Sequence, residues 1–78
     1  MTDLQNHILA FLSQRGPSLT KTICCHVSGT RLEIARACLE MEALGLIHRD
    51  NAVGEGMAMF TLWAAGQPSA SQLRNVVV

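Results

Sequence analysis

Aromatic residues are scarce in this chain: two Phe, one Trp and no Tyr make up 4% of its 78 residues. A core of this size must therefore be built from Leu, Ile, Val, Met, Ala and Cys. Charge is also sparse, at 15% against about 25% in an average soluble protein. Neither sign is in excess, since six basic and six acidic side chains leave a formal charge of zero. That balance gives no overall electrostatic pull toward nucleic acid. No run approaches the roughly 20 apolar residues that span a bilayer. The apolar stretch from Leu4 to Leu12 is interrupted by Gln5, Asn6 and His7, with no basic segment before it, so no secretory signal is expected. Three cysteines, two of them adjacent, do not make a disulfide framework. A reducing, cytoplasmic setting and a single small domain follow as expectations.

Catalytic signatures are missing as well. His7, His26 and His48 fall in separate segments with no nucleophile or carboxylate at a motif spacing, and no Gly-rich phosphate loop or HExxH occurs. Cys24-Cys25-His26 with a distant Cys38 invites a metal or redox reading. Adjacent helical residues point about 100° apart, however, and no CxxC pair exists. Cys24 and Cys38 are better placed as small apolar side chains between helices. The expectation is a protein that binds and does not catalyse, with no cofactor and no metal.

What is present is helical periodicity. Leu4, Ile8, Phe11 and Leu12 recur on one face of a helix running from about Leu4 to Arg15, with Thr2 or Asp3 as its cap. Gly16, taking the left-handed C′ conformation, and Pro17 should end it. A second helix is expected over about Leu19 to Val27, capped by Ser18, with Ile23 and Val27 inward. Ser28-Gly29 makes a turn. The third helix opens on Thr30 and Glu33, the two ends of a capping box. Behind it Ile34, Ala37, Cys38, Met41 and Gly45 form a buried stripe. Leu46 to Arg49 reads as a strand, Asp50 to Gly56 as a loop, and Met57 to Trp63 as a second strand pairing with the first in a β-hairpin. Residues 66–78 read as a flexible tail following a domain of residues 1–65.

Helix, turn, capped helix and hairpin in this order are the pattern of a winged helix-turn-helix: an α+β fold with three helices plus a small β-hairpin wing. In such folds the start of the second helix of the motif enters the DNA major groove. Here that segment offers Thr30, Arg31, Leu32, Glu33, Ala35 and Arg36. Arg31 and Arg36 can meet guanine or phosphate, and Lys21 on the preceding helix can hold the backbone. Glu33 adds negative charge to the same face. Asp50 and Glu55 flank the wing tip, where only Arg49 is basic.

A second stripe points to protein contact. With Ile34 at the centre of the buried face, Leu32, Ala35, Arg36 and Leu39 gather on the other side at i, i+3, i+4 and i+7. Either these side chains tuck against neighbouring loops or a partner covers them. Met57, Met59 and Trp63 can extend an apolar contact from the wing, with some of them alternating into the core.

The span from Asn6 to about Ala65 resembles the small PapI/FaeA-type regulators of fimbrial operons. The resemblance rests on Ile8-Leu9-Ala10-Phe11-Leu12, on Thr20 and Ile23, on Thr30, on the Leu39 to Ile47 segment, and on Gly56-Met57-Ala58-Met59-Phe60. It implies a bacterial transcriptional co-regulator acting at GATC-containing double-stranded DNA, with phase-variable output and an Lrp-type global regulator as partner. By position it places Lys21, Thr30, Arg31 and Arg36 toward DNA, and residues 32, 35 and 39 near DNA or the partner. The chain departs from the resemblance at Asn51-Ala52-Val53-Gly54-Glu55, which replaces a basic wing tip, and at Ala37, where a Tyr is common. Weak unaided DNA binding and a monomeric state are the expectations. The alternative is a winged-helix adaptor that docks another regulator and never touches DNA.

Overall fold

The computed structural model describes residues 1–53 and 57–67, and within them three helices and three short strands follow one another along the chain. Helix α1 spans Asp3–Arg15, strand β1 Ser18–Leu19, helix α2 Thr20–His26 and helix α3 Arg31–Ala43. Strand β2 (Ile47–Arg49), a 3-10 turn at Ala58–Phe60 and strand β3 (Leu62–Ala65) complete the order. The architecture is α+β, with an antiparallel sheet of order β1-β3-β2.

Helices α1 and α3 start in the same way. The Thr2 hydroxyl oxygen accepts from the Gln5 backbone amide at 3.1 Å while the Gln5 side-chain Oε1 accepts from the Thr2 backbone amide at 3.2 Å. Thr30 and Glu33 repeat this at 3.1 and 2.9 Å. Each box satisfies two of the four amide donors that a helix leaves free at its start. The buried Gln5 also donates through Nε2 to Glu40 Oε2 at 2.9 Å, fastening α1 to α3. At the other end of α3 the Leu46 amide reaches the Met41 carbonyl at 2.9 Å and the Gly45 amide reaches that of Glu42 at 3.0 Å. That pairing is a Schellman motif, and it needs Gly45 at φ +77°. Gly16 closes α1 with φ +83° but an extended ψ of −169°, so it is not in the left-handed helical well expected of it.

The core is the aliphatic one anticipated. Ile8, Leu12, Ile23, Ile34, Cys38, Met41 and Ile47 are fully enclosed, with Val27, Ala37 and Trp63 completing the cluster. Leu4 and Phe11 pack against it from its margin.

Two segments depart from the sequence reading. Ser18 does not cap α2. It pairs with Trp63 in β1, and its hydroxyl donates to the Gly16 carbonyl at 3.1 Å. The amide at the start of α2 is satisfied from across the sheet, Thr20 donating to the Thr61 carbonyl at 3.0 Å. A third strand therefore joins the expected hairpin. The second strand is also shorter and later than expected. Met57 to Phe60 turns instead of extending, and the Asn51 side chain bridges the gap, donating to the Phe60 carbonyl (3.0 Å) and accepting from the Leu62 amide (2.7 Å). A side-chain amide thus takes the place of a strand partner. The loop residues 54–56, including Glu55, and the tail from Pro68 onward lie outside the described residues. Gly66 and Gln67, expected to begin that tail, are tied to the fold by bonds to the Leu46 and Gly45 carbonyls, both at 2.8 Å.

Candidate functional site

The outer face of α3 and the adjoining edge of α2 gather most of the side chains singled out from the sequence. Thr30 is the N-cap of α3, and Arg31 and Leu32 follow it in the first turn, all exposed. Ile34 and Met41 are completely buried on the core side, whereas Leu32 is 67% and Leu39 50% exposed on the other side. Arg36 is exposed beside them and Ala35 is half-buried. The second apolar stripe is exposed: among the described residues no loop covers either leucine.

Glu33 is held by its cap. The Thr30 amide and hydroxyl hold its carboxyl below its usual value of 4.5, so it is an anion at neutral pH. Its negative charge stands at the start of α3, where the helix dipole favours it. It offsets part of the positive charge that Arg31 and Arg36 bring to the same face.

Arg49, the basic residue of the wing and a candidate DNA contact, is engaged within the chain. Its Nε and Nη2 hold the two oxygens of Glu42 at 2.8 and 3.2 Å, and its guanidinium lies 5.2 Å from the centre of the Trp63 ring. The planar fork is already matched to a carboxylate within the chain. Trp63 itself is in the core, so of the three hairpin residues considered for an apolar contact only Met57 and Met59 remain near the surface.

A cleft of about 700 Å³ opens between α2, the turn before α3 and the 3-10 turn. It is lined by Lys21, Cys24, Cys25, Gly29, Thr30, Arg31, Met59 and Phe60. Lys21 places its ammonium 5.9 Å from the centre of the Phe60 ring. Among the described residues neither Lys21 nor Arg31 forms an ion pair. The Cys24 thiol is raised above its ordinary value of 9.0, chiefly by burial, against the lowering influence of the Arg31 charge. Cys38, sealed in the core, is pushed up to about 12, mainly by burial, and stays a thiol. Among the described residues no three His, Cys, Asp or Glu side chains gather where they could hold a metal ion.

The sequence reading missed the cleft and Phe60 as part of a site, and took Met59 only as an extension of an apolar contact from the wing. Residues 21–31 and 59–60 meet only because β1 pairs with β3, which carries the 3-10 turn alongside α2. No local spacing encodes that meeting.

No family profile, characterised protein or solved structure matches this chain. Among the described residues no helix is long and apolar enough to cross a membrane.

Proposed function

We propose that the chain is a winged-helix transcription regulator of a fimbrial-type operon, active in the cytoplasm as a binding protein and not as an enzyme. It contacts GATC-containing duplex DNA through Lys21, Thr30, Arg31 and Arg36, and it gains affinity from a DNA-bound partner of the Lrp type. The order of three helices and the β1-β3-β2 sheet is compatible with that fold. The observation that carries the functional reading is the outer face of α3, where Leu32 and Leu39 stand exposed beside Arg36, directly opposite a fully buried stripe. A helix seated in a groove by charge alone has no use for two exposed leucines, whereas a helix shared between DNA and a protein does.

Weak DNA binding follows from the charge. Three cations supply few phosphate contacts, and Glu33 opposes them. Arg49, engaged with Glu42, adds little to that count. A partner contact on the same helix raises the effective concentration at the DNA and makes up the difference. The engagement of Arg49 and the zero net charge also favour the adaptor reading, in which the α3 face meets protein only.

Salt separates the two. Binding to a GATC-containing promoter fragment is measured by fluorescence anisotropy across a range of potassium chloride concentrations. Two to three phosphate contacts give a log–log slope of about −2 to −3. Absence of any salt-dependent association, with or without the partner, overturns the DNA reading in favour of the adaptor.

A further inference from the structure

The cleft between α2 and α3 is chemically lopsided. Its walls are thiol, thioether and phenyl from Cys24, Cys25, Met59 and Phe60, and its charged groups are two cations, Lys21 and Arg31. Among the described residues no carboxylate lines it. The nearest carboxylate along α3, Glu33, is turned to the Thr30 amide. At about 700 Å³ it falls within the range of roughly 300–1,000 Å³ typical of small-molecule sites, which pair an apolar lining with a few placed polar groups.

We propose that this cleft binds a small organic anion, a flat apolar body bearing one carboxylate, with the body against Met59 and Phe60 and the carboxylate between Lys21 and Arg31. Each part of such a molecule meets its complement. The Phe60 ring, 44% exposed, gains cover from a planar partner. The Lys21 ammonium and the Arg31 guanidinium, unpaired with any acid among the described residues, gain a counter-charge. A neutral molecule satisfies only the walls, and a bare inorganic anion only the rim. Lys21, Thr30 and Arg31 are also among the proposed DNA contacts, so this ligand and DNA compete for them. No arm of the test contains DNA, and its result is read apart from the DNA reading.

The test is a titration of the ¹⁵N-labelled full chain with 1-naphthoate, and in parallel with the neutral 1-naphthalenemethanol and with inorganic phosphate. Saturable amide shifts confined to Lys21, Cys24, Cys25, Thr30, Arg31, Met59 and Phe60 are expected, with a dissociation constant at or below about 1 mM for a ligand of this size. Lys21→Ala and Arg31→Ala, both changes at exposed positions, should each weaken naphthoate about fivefold, the upper end for a solvent-exposed charge contact. The neutral alcohol and phosphate should bind more weakly than naphthoate. Absence of saturation, or shifts scattered over the molecule, overturns the site. Equal binding of the alcohol, or unchanged affinity in both variants, overturns the role of the cations and with it the anionic class.

Discussion

The indole N–H of Trp63 donates to the Thr20 hydroxyl oxygen at 2.8 Å, both side chains being buried. The same hydroxyl donates onward to the Thr61 carbonyl at 3.4 Å. This chain of bonds joins the start of α2 to β3 and so fixes where the 3-10 turn, with Met59 and Phe60, sits against α2. Thr20→Val keeps the shape and strands the indole donor, which should cost about 1–3 kcal/mol. Thr20→Ser should recover most of it. Urea unfolding followed by the fluorescence of the only tryptophan measures both.

Gly45 closes α3 at φ +77°, and a Cβ built there runs into the Gln67 side chain. Gly45→Ala should therefore destabilise by about 1–2 kcal/mol, the usual penalty for a side chain in the left-handed region. Thermal unfolding checks this, and a neutral outcome would show that the Schellman closure contributes little.

The Thr30–Glu33 box should make stability depend on acid. The carboxyl of Glu33 is held below 4.5 by the Thr30 amide and hydroxyl. A group whose folded value is depressed contributes stability that is present above its unfolded value and is lost as pH falls through the folded one. The midpoint difference between wild type and Glu33→Gln should thus narrow as pH falls below about 4.5. A constant difference down to pH about 3, below the ordinary glutamate value, would contradict the carboxylate's role in the cap.

Thiol labelling should follow burial. Cys25 is exposed, Cys24 half-buried and Cys38 fully enclosed, its thiol pushed up to about 12. At pH about 8, near the ordinary thiol value, a maleimide should modify Cys25 first, then Cys24, and Cys38 only on unfolding. Mass spectrometry of partially labelled protein reads the order.

How much of this was legible in the sequence depends on range. The Thr30–Glu33 box and the stripe from Ile34 to Met41 follow from spacing within one helix and are placed as read. Gly45, expected to continue the stripe, is half-buried beyond the helix end. Leu32 and Leu39, left open between tucking in and standing exposed, are exposed. The start of α1 was legible only in part. Thr2 was read as a candidate cap without its partner Gln5, and the bond from Gln5 to Glu40 spans 35 positions. The alternation Met57, Met59, Thr61, Trp63 suggested a strand. Only Thr61 and Trp63 are buried, because the Asn51 side chain takes up the Phe60 carbonyl and the Leu62 amide. Ser18 misled for a similar reason. A serine before a helix looks like a cap until a strand forty-five residues away, at Trp63, pairs with it. The pairing of Arg49 with Glu42 was not legible, because Glu42, seven residues earlier, lies across a helix end and a turn that periodicity does not describe.

The most direct test of the central claim is a mobility-shift titration on a GATC-containing fimbrial promoter fragment carrying an Lrp-type regulator, comparing wild type with Leu39→Asp and Arg36→Ala. Leu39 is half exposed, so Leu39→Asp should fold with stability within about 0.5 kcal/mol of wild type. The account predicts a supershift for wild type, none for Leu39→Asp and a weakened one for Arg36→Ala. A supershift that survives Leu39→Asp unchanged, or wild-type binding to DNA that is equally tight without the regulator, would contradict it.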